Sequence, residues 1–116
     1  MALLPNASQA VVPKDKLVRY ILNPEHEKGR HKARVFRSTL GFGPENWEDL
    51  RDQILDGVLS AEISKVATGV HGTRYTVPLL IEGTNGETHE VTTGWIVEED
   101  AEEERAKLTS AYVNVP

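Results

Sequence analysis

Apolar positions recur at three- and four-residue spacing through the first half of the chain, then shift to alternation from about Leu59 onward. Leu17, Tyr20 and Ile21 form an apolar stripe behind Pro13, which suits a first helical turn, so a short helix is expected over 13–22. Asn23-Pro24 ends it, because the residue before proline avoids the helical region. Ala33, Phe36 and Leu40 define a second helix over 29–40, stopped by Gly41. After the tight connection Gly41-Phe42-Gly43-Pro44, Asn46 is placed as an N-cap, with Asp49 three residues on in a capping-box position. Trp47, Leu50, Ile54 and Val58 give the third helix its buried face, and Gly57 ends it.

Beyond Gly57 the period is two. Leu59, Ala61 and Ile63 alternate with polar residues, and Val66 breaks the pattern, which predicts a bulge near Lys65. Gly69-Val70-His71-Gly72 turns the chain into a strand with Tyr75, Val77, Leu79 and Ile81 on one face. Pro78 argues for an edge position or a bulge there. Gly83-Thr84-Asn85-Gly86 signals a hairpin, and Val91, Thr93, Trp95 and Val97 mark the next strand. The acidic run 98–104 is expected as a solvated loop before a last strand over 106–115. The order predicts one α+β domain over 1–116, with its core over about 12–113: N-terminal helices packed on a curved, mainly four-stranded antiparallel sheet.

Composition leaves that picture unchanged. The 116 residues are 39% hydrophobic and 27% charged, as for a globular protein, and are enough to bury a core without disulfides or metal. There is no cysteine, which excludes thiolate chemistry. No apolar run reaches membrane-spanning length, and the first residues lack the basic and apolar regions of a signal peptide, so a cytoplasmic protein with no membrane partner is expected.

Charge does change it. The net −5 divides unevenly: from Lys14 to Arg37 eight Lys/Arg face three Asp/Glu, a local +5, while the remainder carries −10. A basic patch on an otherwise acidic protein suits an anionic partner without general stickiness. Its densest part is 23–33, with His26, Lys28, Arg30, His31 and Lys32 around Gly29 at a helix entry. Helix N-termini offer unpaired N–H groups to anions, phosphate above all, and imidazoles can move protons near neutral pH. The same stretch also reads as a solvated basic helix start. His26 and His31 are five apart, not the four of a helical metal pair, and His71 and His89 have no clustered ligands. No metal site and no cofactor are expected.

The pattern Leu22-Asn23-Pro24-x-His26-x-x-Gly29-x-x-Lys32-Ala33-x-x-Phe36, with Leu40-Gly41-Phe42, Gly72-Thr73-Arg74-Tyr75, Thr93-x-Trp95-Ile96 and Leu108-Thr109-Ser110-Ala111-Tyr112, resembles an uncharacterised bacterial domain family. Its members occur as small standalone proteins and as C-terminal domains of polymorphic toxins. That family in turn is similar to the barnase–EndoU–colicin–RelE-like superfamily of metal-independent ribonuclease toxins. The resemblance implies helices followed by a four-stranded sheet whose open face binds RNA. The chain departs from the pattern after Tyr112, where Val113-Asn114-Val115-Pro116 follows, and in its acidic run 98–104.

Cleavage of RNA by its own 2′-hydroxyl needs a base, an acid and cations for the crowded phosphate. His26 offers the base or acid, Lys32 and Arg74 the cations, and Thr109 a hydroxyl for the phosphate. Arg30, His31, Thr93, Ser110 and Tyr112 are the expected RNA-binding residues, Tyr112 by stacking on a base. Each has a plainer alternative: His26 closing a turn, Lys32 a surface lysine, Arg74 paired with a cross-strand acid such as Glu90, Thr93 and Thr109 ordinary strand residues, Tyr112 and Trp95 core. The expected function is therefore an RNA-binding or RNA-cleaving toxin-like protein. The alternative is a non-catalytic module that binds a partner protein, a cognate immunity factor or antitoxin, through its open sheet face.

Overall fold

A computed structural model of the protein describes residues 2–98 and 105–114. Helices come first: α1 (Lys14–Lys16), continued by a π-helical segment (Leu17–Ile21), then α2 (Arg30–Leu40) and α3 (Trp47–Gly57). Four strands follow, β1 (Lys65–Gly69), β2 (Gly72–Glu82), β3 (Thr88–Glu98) and β4 (Lys107–Val113). They form one antiparallel sheet in the order β1-β2-β3-β4. The α+β architecture read from the periodicity is the one observed.

Strand alternation decides what the sheet covers. Val77, Leu79 and Ile81 of β2, Val91, Thr93 and Trp95 of β3, and Leu108, Ala111 and Val113 of β4 are buried on one face. Against them pack Leu17, Ile21, Phe36, Leu40, Leu50 and Ile54 from the helices. The opposite face carries Arg74, Thr76, Leu80, Glu90, Thr92, Gly94, Ser110 and Tyr112 and is left open. Burying a large apolar side chain contributes roughly 1.5–3 kcal/mol, so this one-sided core fixes which face is free.

The α2 C-terminus is tied to the β2–β3 turn. Gly41 takes the left-handed conformation (φ 77°), with Gly41 N donating to Arg37 O and Phe42 N to Phe36 O. The last carbonyls are then satisfied by the hairpin: Thr84 N donates to Leu40 O at 2.8 Å, and Asn85 Nδ2 to Thr39 O at 2.9 Å.

Several local expectations are corrected. The alternating residues 59–63 form no strand; they touch the N-terminal segment through a Leu3–Glu62 bridge, and β1 begins only at Lys65. Alternation there reports a chain lying half-buried on the core, as Ala61 and Ile63 do. Asn46 occupies the N-cap position of α3 as expected, but its side chain makes no capping bond to the helix. Its Oδ1 accepts from Gly43 N and its Nδ2 donates to Gly41 O, closing the turn before the helix. Pro78 lies in an interior strand, but β1 pairs with β2 only up to Thr76, so β2 is locally an edge at Pro78. Thr76 turns its carbonyl towards that side, accepting from Ser64 N, and alternation puts the proline nitrogen on the same uncovered side. Glu90 stands across from Leu80, not Arg74, whose partners are Ala67 and Ile96. The expected loop 99–104 and the end of the last strand at Val115 lie outside the described residues.

Candidate functional site

The β4 strand carries an irregularity that shapes its open side. Gly94 pairs with Ser110 and Trp95 with Leu108, so Thr109 is an extra residue in a bulge. The bulge turns two hydroxyls over Gly94: a side-chain carbon there would lie 2.6 Å from Ser110 Oγ and 3.3 Å from Thr109 Oγ1. Glycine thus makes room for the Ser110 hydroxyl to lie against the strand, with the Thr109 hydroxyl beside it. Tyr112 stands two residues on, 37% exposed, opposite Thr92.

Lys32 comes to the same place from α2. Its Nζ lies 4.8 Å from the centroid of the Tyr112 ring, a cation–π contact. Lys32 also lines a small cavity with Tyr20, Ile21, Gly29, Ser110 and Ala111, where the helix entry meets β4. Gly29 is there because its position abuts Tyr20, whose Cε1 would be 3.0 Å from any side-chain carbon.

His26 adjoins this surface through Tyr20, the two rings meeting edge-on with centroids 4.7 Å apart. Its Nδ1 accepts from Lys28 N and Gly29 N, both at 3.0 Å. The ring is therefore a turn cap that satisfies donors ahead of α2. With Nδ1 accepting, the neutral ring carries its proton on Nε2 and presents a donor to its surroundings. Protonating Nδ1 would break both turn bonds.

Lys32, Thr109, Ser110 and Tyr112 are thus brought together, with His26 beside them. Four expected residues stand elsewhere. Arg30 is turned about 160° and His31 about 100° around α2 from Lys32, and Arg30 Nη1 donates to Glu27 O at 3.0 Å. Arg74 is exposed on the open face, two strands from Ser110, with Cα atoms about 12 Å apart by strand spacing. It makes no ion pair among the described residues. Thr93 faces inward and is fully buried. Its Oγ1 donates to Val77 O at 2.6 Å and accepts from Trp95 Nε1 at 2.8 Å, so it cannot touch a surface ligand.

Sequence reasoning missed Gly94, Tyr20 and the bulge. Gly94 lay in a run of strand formers with no turn signal, and the bulge shows only in the register. Among the described residues, no three His, Asp or Glu side chains converge as for a metal, and no helix is long and apolar enough to cross a membrane. One carboxyl, Glu45, is held below the usual range, first by a backbone N–H hydrogen bond and then by Arg37; it lies at the α2–α3 junction.

Three helices on one face of an open, four-stranded antiparallel sheet, with a basic side chain folded over an edge-strand tyrosine, define the class of this protein. The chain belongs to the family described as a domain of unknown function, DUF6883, which matches residues 3–115. No curated protein matches it. In fold it is similar to a chain of a contact-dependent growth inhibition toxin–immunity protein complex from Klebsiella pneumoniae 342, with a TM-score of 0.73 and 13% identity. That likeness covers 95% of this chain and 97% of the other.

Proposed function

We propose that the protein binds single-stranded RNA along the β4 edge and acts as a toxin of the metal-independent ribonuclease type. The convergence of Lys32, Tyr112 and the Thr109–Ser110 hydroxyls carries this reading. An ammonium and two hydroxyls match a phosphodiester, and an exposed aromatic ring next to them matches a base. The resemblance of the motifs to toxin domains supports it, as does a fold shared with a member of a toxin–immunity complex.

In cleavage, the 2′-oxygen bonds to the neighbouring phosphorus as its proton passes to a solvent water, and the bond to the 5′-oxygen breaks as that oxygen takes a proton from water, leaving a 2′,3′-cyclic phosphate and a 5′-hydroxyl. Lys32 stabilises charge on the phosphoryl oxygens, and the Nε2–H of His26 donates to the same group. Arg74 lies further along the open face, where it meets the strand as it continues. His26 is a hydrogen-bond donor in this scheme and not the base.

A second reading has one observation in its favour. Leu80 is 76% exposed on the open face, and a cognate immunity protein or antitoxin seated there would cover it.

Fluorescence anisotropy with a labelled single-stranded RNA over a salt series tests the proposal. Affinity should fall linearly on logarithmic axes, and Lys32→Ala should reduce the slope by about 1. Cleavage, where seen, should persist in EDTA. Absence of RNA binding at low salt, with binding to a partner protein instead, would leave the second reading.

A further inference from the structure

The open face carries a polar cluster beside Tyr112 that the phosphate-holding groups do not use. Thr92 stands opposite Tyr112, and Asn114 pairs with Glu90, its N–H donating to Glu90 O at 2.8 Å. Thr92 Oγ1 donates to Asn114 Oδ1 at 2.9 Å, and Asn114 Nδ2 donates to Glu90 Oε1 at 2.5 Å. The amide is held at both ends, and it holds the carboxylate in turn. Glu90 makes no ion pair among the described residues. Only Oε1 is taken up by the amide, which leaves Oε2 on the same face as Tyr112, the two residues being diagonal neighbours with Cα atoms about 7–8 Å apart.

We infer that Glu90, positioned by Asn114 and Thr92, reads a guanine base stacked at Tyr112, an inference that rests on the RNA reading of the adjacent ridge. A carboxylate accepts and cannot donate. Guanine alone among the four bases offers two neighbouring donors on its pairing edge, the N1–H and the exocyclic amine. In adenine and cytosine a ring-nitrogen acceptor lies beside the amine and meets the carboxylate with repulsion. In uracil a single N–H sits between two carbonyls. An unneutralised carboxylate also repels any RNA that does not offer it donors, so its presence next to a phosphate-binding lysine selects as well as attracts. Bases in single strands are read in this way, by stacking and by hydrogen bonds to their exposed edges.

The test uses short oligouridines carrying one central guanine, adenine or cytosine, and oligouridine alone, with affinities read by fluorescence anisotropy at fixed salt. The wild-type chain should bind the guanine strand about tenfold more tightly than the others. Glu90→Gln preserves shape and can still accept from Asn114, so the fold should be retained, as circular dichroism will verify. It should bring the guanine strand down to the level of the other three and leave those unchanged or slightly tighter. Tyr112→Ala should weaken all four. Equal binding of the four strands by the wild-type chain, or a guanine preference that survives Glu90→Gln, overturns the inference while leaving RNA binding intact. Failure to bind any strand overturns both.

Discussion

Thr93 shows how a residue type points two ways. A threonine in a strand between apolar neighbours suits a hydroxyl ligand as well as a buried linker, and parity decides. With Val91 and Trp95 it faces the helices, and its hydroxyl joins the indole N–H of Trp95 to the carbonyl of Val77. Thr93→Val keeps the shape and leaves a buried indole donor unpaired, which should destabilise by about 1–3 kcal/mol in urea unfolding. RNA affinity should not change. For His26 the sequence offered both a proton-transfer group and a residue closing a turn; the turn is what is observed, while the ring nitrogen that meets the backbone was not legible. Lys32 and Tyr112 were each legible as candidates, while their contact depends on how α2 lies across β4.

At the scale of elements, helical spacing and strand alternation located the three helices, the 69–72 turn, the 83–86 hairpin and the strands that follow it. They erred where the chain pairs with something distant. Residues 59–63 alternate because they lie on the core beside the N-terminal segment, and no local pattern reports that partner. Pro78 was a sound warning of a missing ladder bond, satisfied by the shortness of β1 and not by an edge strand. The α2–α3 junction adds a pH signature. Glu45 is held below the usual carboxylate range by a backbone N–H and by Arg37, so its contribution is full above the ordinary value of about 4.5 and is lost as pH falls below it. Glu45→Gln should therefore lower the melting temperature slightly at pH 7, and the difference should shrink as pH falls below about 4.5. The pair is exposed, so the effect is small and further reduced by salt.

At the scale of the whole molecule, charge and topology act together. All helices pack on one face of the sheet, so the open face and the β4 edge are what the fold offers to a partner. The basic segment 14–37 supplies one side of that edge, through Lys32, while the Arg30 side of α2 points away. The charge asymmetry was legible from composition, but which cations face β4 follows only from the rotation of α2.

That asymmetry makes the decisive measurement a comparison of two cations on one helix. Lys32→Ala and Arg30→Ala remove the same charge from positions two residues apart. By fluorescence anisotropy with single-stranded RNA at low salt, Lys32→Ala should weaken binding about tenfold or more, while Arg30→Ala should change it less than about twofold. Equal losses for the two variants would show that the basic segment acts only as diffuse charge, and would contradict a defined site at the β4 edge.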